Sequence, residues 1–164
     1  DGVFAVRILI ITAFLLAAWP AAAARITGTV LRVIDGDTVE VLIGHRPVRV
    51  RLASIDAPEI SRGRGDPGQP FGQESRQSLK QLVAKRAVTI YEEGTDENGY
   101  MFGTIYDGPI NINARQVSLG MAWVYRRYSR DPVLMWLEYQ AKTAKRGLWA
   151  DPDPVPPWEY RYSR

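Results

Sequence analysis

The sequence holds no cysteine and one histidine, His45. Without cysteine there are no disulfides and no thiolate metal sites, and an exported location is not opposed. A lone histidine on a turn supports neither a zinc site nor histidine-based hydrolysis. The glycine-lysine loop that cradles nucleotide phosphates is missing, and so is the glycine-serine-glycine elbow of serine hydrolases. No repeat and no linker divides the chain, so its 164 residues read as one compact domain. The formal charge of +3 and pI near 9.3 would help a polyanion approach, a property many soluble proteins share. Five tryptophans and eight tyrosines read as core and rim packing before base stacking.

Long apolar runs are scarce as well. Arg7 precedes the apolar run Ile8 to Trp19, which is followed by Pro20 and Ala21-Ala22-Ala23-Ala24. That run is shorter than the roughly twenty residues a bilayer span needs. A charged start, an apolar middle and a small-residue end describe a secretory signal peptide over residues 1–24, with an uncleaved N-terminal anchor as the alternative. One Arg and one Asp would leave together, so the remainder keeps its +3. The expectation is an exported protein, periplasmic or extracellular, with no membrane attachment after cleavage.

What the sequence does hold is a concentrated stretch, Asp35 to Glu59. It carries Asp35, Asp37, Asp56 and Glu59 around two alternating runs, Val39-Glu40-Val41 and Val48-Arg49-Val50-Arg51-Leu52. Period-two alternation predicts two half-buried strands, and Gly44-His45-Arg46-Pro47 supplies the turn of a hairpin. A hairpin brings its outer ends together, so the aspartates at the entry can meet Asp56 and Glu59 at the exit. His45 falls on the far turn, exposed. Clustered carboxylates repel one another unless a cation intervenes. All-oxygen ligation suits a hard ion such as calcium or magnesium. Arg51, on the strand face opposite Val50 and Leu52, would add a guanidinium clamp for a phosphate. Glu59, after Pro58, is placed to take a proton from an attacking water. Together these groups make a metal-assisted phosphodiester hydrolase site.

Around this stretch, Ile26 to Ile34, Ala87 to Glu92 and Met101 to Tyr106 read as further strands. Ser61 to Gln69 has the composition of a loop, and Arg62 and Arg64 on it would either steer a backbone or simply be solvated. Gly72 to Lys85, Asn111 to Gly120 and Asp131 to Arg146 read as helices. Asp131-Pro132 gives the third an N-cap and a first-turn proline, and Gly147 ends it. Leu148 and Trp149 pin that end to the core. The tail, residues 151–164, holds four prolines and is expected to be an extended strap without helix. This order predicts an α+β, mainly β fold: a five-stranded OB-type barrel with three appended helices, spanning residues 25–150.

Asp35-Gly36-Asp37-Thr38, Arg51-Leu52 and Ile55-Asp56-Ala57-Pro58-Glu59 resemble the staphylococcal nuclease family. The resemblance continues through Pro70-Phe71-Gly72-Gln73-Glu74, Ile112-Asn113-Ala114, Gly120 to Tyr125, Arg146-Gly147-Leu148-Trp149 and Pro156-Pro157-Trp158-Glu159. It implies the same barrel, with Asp37, Asp56 and the Ala57 carbonyl as metal ligands and Asp35 acting through water. Ala57 stands where the family's best-known member has threonine, which a backbone ligand tolerates. Arg51 is implied as a phosphate clamp and Glu59 as general base, with calcium as the ion before magnesium or manganese.

One departure matters most. The family's Asp-x-Tyr-Gly-Arg turn reads Asp96-Glu97-Asn98-Gly99-Tyr100 here, so Tyr100 stands in place of a second catalytic arginine. A phenol donates one neutral hydrogen bond and cannot offset charge on phosphorus. Losing such a contact costs about a hundredfold to a thousandfold in rate. Arg126, Arg127 or Arg64 are candidates to reach in, and Tyr100, Tyr128 and Arg126 are candidate substrate contacts. The expected function is a metal-dependent nuclease acting on DNA or RNA with little sequence specificity, monomeric and without a protein partner. The alternative is an impaired module of the same fold that binds metal and nucleic acid without efficient cleavage.

Overall fold

The computed structural model describes residues 24–163, so the segment expected to be a signal peptide lies outside the described residues, apart from Ala24. In chain order, the first strands are β1 (Ala24–Val33), β2 (Thr38–Ile43), β3 (Arg46–Leu52) and β4 (Ile55–Asp56). Helix α1 (Gly72–Val83) precedes β5 (Ala87–Thr95), β6 (Met101–Asp107) and β7 (Ile110–Asn111). Then come α2 (Ile112–Ser118), β8 (Trp123–Val124), α3 (Pro132–Thr143), a 3-10 turn (Gly147–Ala150) and α4 (Pro157–Tyr162).

The sheet runs β3-β2-β1-β5-β6-β7 and closes on itself where β3 pairs with β6 in parallel. The result is the expected five-stranded mixed barrel, mainly β. Alternation sets its inside: Val39, Val41, Val50, Leu52, Ile90 and Ile105 are buried in one core with Val30 and Val88. Leu79 and Val83 of α1 cover one part of that core, and Ile112 and Val117 of α2 another.

The hairpin turn is tighter than the four residues expected. Ile43 pairs directly with Arg46, leaving only Gly44-His45 between the strands, with Gly44 at φ +60°. Pro47 therefore lies inside β3. It is tolerated because β6 pairs only with Val50 to Leu52, so the Pro47 end of β3 is a free edge. His45 is exposed there, as expected.

The third helix begins as expected, with Asp131 Oδ1 accepting from the Val133 N–H and Pro132 in the first turn. It stops at Thr143, three residues early, where Lys145 and Gly147 adopt positive φ. Leu148 and Trp149 are buried against Ala141, and the Leu148 N–H donates to the Gly120 carbonyl. The two glycine backbones meet so closely that a Cβ on Gly147 would lie 2.2 Å from the Gly120 oxygen.

The tail corrects the strap expectation. It runs without regular structure to Pro156, then forms α4, a fourth helix among the described residues. Proline at a helix start gives up no hydrogen bond and already has a helical φ, so Pro156-Pro157 begins the helix that their number was expected to forbid. Aromatic packing supplies the rest. Trp158 stacks on Tyr125 with ring centroids 5.1 Å apart and meets Trp123 edge-on at 5.8 Å.

Candidate active site

The register of β2 and β3 builds the site. Thr38 lies opposite Arg51, so the hairpin mouth sets Asp37 beside the guanidinium. Arg51 Nε is 3.8 Å from Asp37 Oδ1, and its Nη2 donates to Asp56 Oδ1 at 3.4 Å. Asp37 is buried and held from both sides: its Oδ1 accepts from Thr38 Oγ1 at 2.8 Å, its Oδ2 from the Ala57 N–H at 2.8 Å. Asp35 Oδ1 accepts from the Asp37 N–H at 3.1 Å. The expected meeting of Asp35 and Asp37 with Asp56 across the hairpin is therefore present.

Gly36 is required by space. A Cβ there would fall 2.0 Å from Ser75 Oγ and 2.7 Å from the Ala57 Cβ. The Gly36 carbonyl accepts from Gln116 Nε2 at 2.8 Å, and the same amide reaches the Ser75 carbonyl at 3.2 Å. Gln116 is fully buried on α2 and thus fastens the aspartate loop to α1. Asn113, also buried, does the same for the exit side, donating to the Ala53 and Gly103 carbonyls at 2.9 and 3.2 Å. Sequence reasoning missed Gln116. A polar residue among the apolar positions of a helical pattern was its only signal.

Asp35, Asp37, Arg51, Ala57, Glu59 and Tyr100 line one cleft. Arg62 and Arg161 line it too. Asp56 lies beneath it, its side chain almost wholly buried. Burial, followed by the charge of neighbouring Asp37, pushes Asp35 up to about 7. Burial also pushes Asp56 up, while hydrogen bonding to Arg161 pulls the other way. Arg51 is held above the usual guanidinium range, first by Asp37. Carboxylates this crowded prefer a proton or a cation to standing ionised alone.

Arg161 was not foreseen. From α4 it grips Asp56 with both nitrogens, Nη2 to Oδ2 at 2.7 Å and Nη1 to Oδ1 at 3.1 Å. Its Nη1 also donates to Glu59 Oε1 at 2.8 Å, and Arg62 Nη2 donates to Glu59 Oε2 at 2.9 Å. Both Glu59 oxygens are thus held by guanidinium groups. A residue three from the end of a proline-rich tail gave no sequence signal.

Two candidate substrate contacts fall elsewhere. Arg126 is taken by buried Glu138 of α3, Nη2 to Oε2 at 2.7 Å, and does not line the cleft. Tyr128 is exposed outside it, edge-on to Tyr125 at 5.0 Å. Tyr100 does line the cleft. Its hydroxyl accepts from Arg49 Nη1 at 2.5 Å, and the Arg49 guanidinium lies 5.3 Å from the ring centroid.

A hard cation fits the donor chemistry here, which is all oxygen, and the Arg161 guanidinium already occupies a cation's place on Asp56. Among the described residues no three acidic, histidine or cysteine side chains form a ready cage. An ion held here would complete its shell with backbone oxygen and water.

Residues 49–151 match the family described as staphylococcal nuclease homologue. A protein of Escherichia coli O157:H7 named "Uncharacterized endonuclease" is 45% identical over 148 residues, covering 89% of this chain and 92% of that one. "Protein ParB" of Escherichia coli is 42% identical over 149 residues, covering 84% and 80%. "Micrococcal nuclease" of Shigella flexneri is 39% identical over 146 residues, covering 82% and 79%. The match over more than half the chain, agreeing with the barrel and the paired hairpin ends, shows that this protein belongs to the staphylococcal nuclease homologue family.

Proposed function

We propose that the protein is a metal-dependent phosphodiesterase, a nuclease that hydrolyses DNA or RNA with little sequence specificity. One observation carries the reading: Asp35, Asp37, Arg51 and Glu59 face the same cleft, over a buried Asp56. The names of the relatives support the same activity. Asp37 and Asp56 would hold the ion, with the Ala57 carbonyl as a backbone ligand and Asp35 acting through water. Calcium is the ion proposed. Bound there, it would polarise a phosphoryl oxygen and supply charge against the transition state.

The chain's own residues do the rest. The Arg51 side chain is half-exposed, lines the cleft and is tethered by two carboxylates, so it presents a fixed positive charge toward a phosphate. Glu59 takes a proton from the attacking water at whichever oxygen a guanidinium releases. Arg62, on an exposed loop and with its guanidinium on Glu59 alone, is the easier to release. Arg51, Arg62 and Arg161 on the cleft would meet backbone phosphates, which carry no base identity, and this is what supports low sequence specificity.

The test is cleavage of single-stranded DNA and RNA by the purified protein with calcium, with magnesium or manganese, and with a chelator. Glu59→Gln should lower the rate by about a hundredfold to ten-thousandfold. If a folded wild type cuts no faster than Glu59→Gln, the activity is not there. Tyr100 favours a second reading, nucleic-acid binding with poor turnover, because the cleft holds a phenol where an arginine is expected. Under that reading, binding is kept in chelator and in Glu59→Gln, and no divalent cation brings cleavage.

A further inference from the structure

Tyr100 leaves this cleft one guanidinium short, yet among the described residues the cleft holds two arginines besides Arg51: Arg62 and Arg161. Arg49 and Arg126 are elsewhere, one on the Tyr100 hydroxyl and the other on Glu138, and neither lines the cleft. Arg62 makes a single ion pair, and its side chain is 68% exposed. Arg161 is different in kind. Its side chain is 36% exposed, and it spans Asp56 and Glu59 at once. The helix that carries it is fastened by Trp158 on Tyr125 and by Tyr160 Oη donating to the Gly68 carbonyl at 2.7 Å. Gln69 Nε2 donates to the Val155 carbonyl just ahead of that helix. This is a positioned guanidinium, carried by a packed helix and not by a loop.

We propose that Arg161 is the second phosphate-contacting arginine of this site, supplied from the C-terminal helix in place of the one missing at position 100. Without substrate its fork lies across the two oxygens of Asp56. The two unbridged oxygens of a phosphodiester present a similar pair of acceptors, so the same fork suits either partner. Arg51 approaches the same carboxylate from the β3 side at 3.4 Å, so a phosphate beside Asp56 would meet a guanidinium from each flank. The proposal rests on reading the cleft as a phosphodiester site, and it explains how a chain with Tyr100 keeps two cationic clamps.

The experiment compares wild type, Arg161→Ala, Arg161→Lys, the double variant Tyr100→Arg with Arg161→Ala, and Arg115→Ala, a charge-matched change at an exposed position on α2. Each is measured for binding of a short fluorescent oligothymidylate in chelator, for cleavage with saturating divalent cation, and for thermal midpoint. Arg161→Ala should weaken binding in chelator by about tenfold. It should slow cleavage by about a hundredfold or more, as loss of one oxyanion-directed contact does. Lysine should restore part of the binding and little of the rate, because it has no fork. Tyr100→Arg should recover much of the rate lost by Arg161→Ala.

An Arg161→Ala protein that binds and cuts as Arg115→Ala does overturns the proposal. So does one that cuts faster than wild type, since Arg161 would then be blocking the site. A lower midpoint with unchanged binding and rate also overturns it, leaving only a structural ion pair. If wild type fails to cut while its binding still depends on Arg161, the nuclease reading falls and the phosphate contact stands.

Discussion

Asp35 is a half-buried carboxyl next to a buried one, and its pKa near 7 is a stability statement. In the unfolded chain it ionises in the ordinary carboxylate range near 4. Folded, it keeps its proton until about 7, so the folded state binds more protons in between. Its stabilising share is complete below the unfolded pKa and is lost as pH rises through the folded one. In chelator, the thermal midpoint of wild type should therefore fall on Asp35's account as pH rises from about 4 to 7. Asp35→Asn should remove that slope and leave the variant the more stable protein at pH 8. A variant whose midpoint tracks wild type across the range would show that Asp35 ionises freely in the fold. Asp37 and Thr38 on the same turn were legible because their identity and spacing decide which atoms can meet locally. The raised pKa was not legible, since it depends on how much water the packed barrel excludes.

At the scale of elements, α3 is held to β8 by a polar contact as well as by its apolar face. Glu138 is buried, accepts from the Val124 N–H at 2.9 Å, and pairs with Arg126 and Lys142 at 2.7 and 3.0 Å. Glu138→Ala should cost about 2–3 kcal/mol in denaturant unfolding, because the buried Val124 N–H loses its partner. Glu138→Gln keeps that bond and should cost less. Equal losses in the two variants would place the effect in the ion pairs alone. The α3 pattern read from sequence gave the helix and its N-cap and carried no sign of a role for Glu138. Only packing shows that it faces in. The same limit hid α4. Four prolines argue for an extended chain when counted, but two of them stand at a helix start, where their fixed φ helps.

Across the whole molecule, the net charge of +3 is modest, so binding strength should come from the local arrangement at the cleft. Arg51, Arg62 and Arg161 line it together. Binding of single strands in chelator should weaken as salt rises, with a log–log slope of about −2 for three neutralised phosphates. A slope near zero would mean that phosphates are not the main contact. Among the described residues no helix is long and apolar enough to cross a membrane.

By itself the sequence determined the barrel order and the meeting of the hairpin's two ends, and with them Asp35, Asp37, Arg51, Asp56 and Glu59. Alternation with period two fixes which face each residue takes, and a hairpin register then carries that information across about twenty residues. Tertiary structure alone decided that Gln116 holds Gly36 from 80 residues away, and that Arg161 reaches Asp56 across 105. Those contacts follow from the docking of α2 on the barrel and of Trp158 on Tyr125. No local period encodes which distant surfaces pack, because the choice is made by the shape and burial of faces that exist only once the barrel has closed.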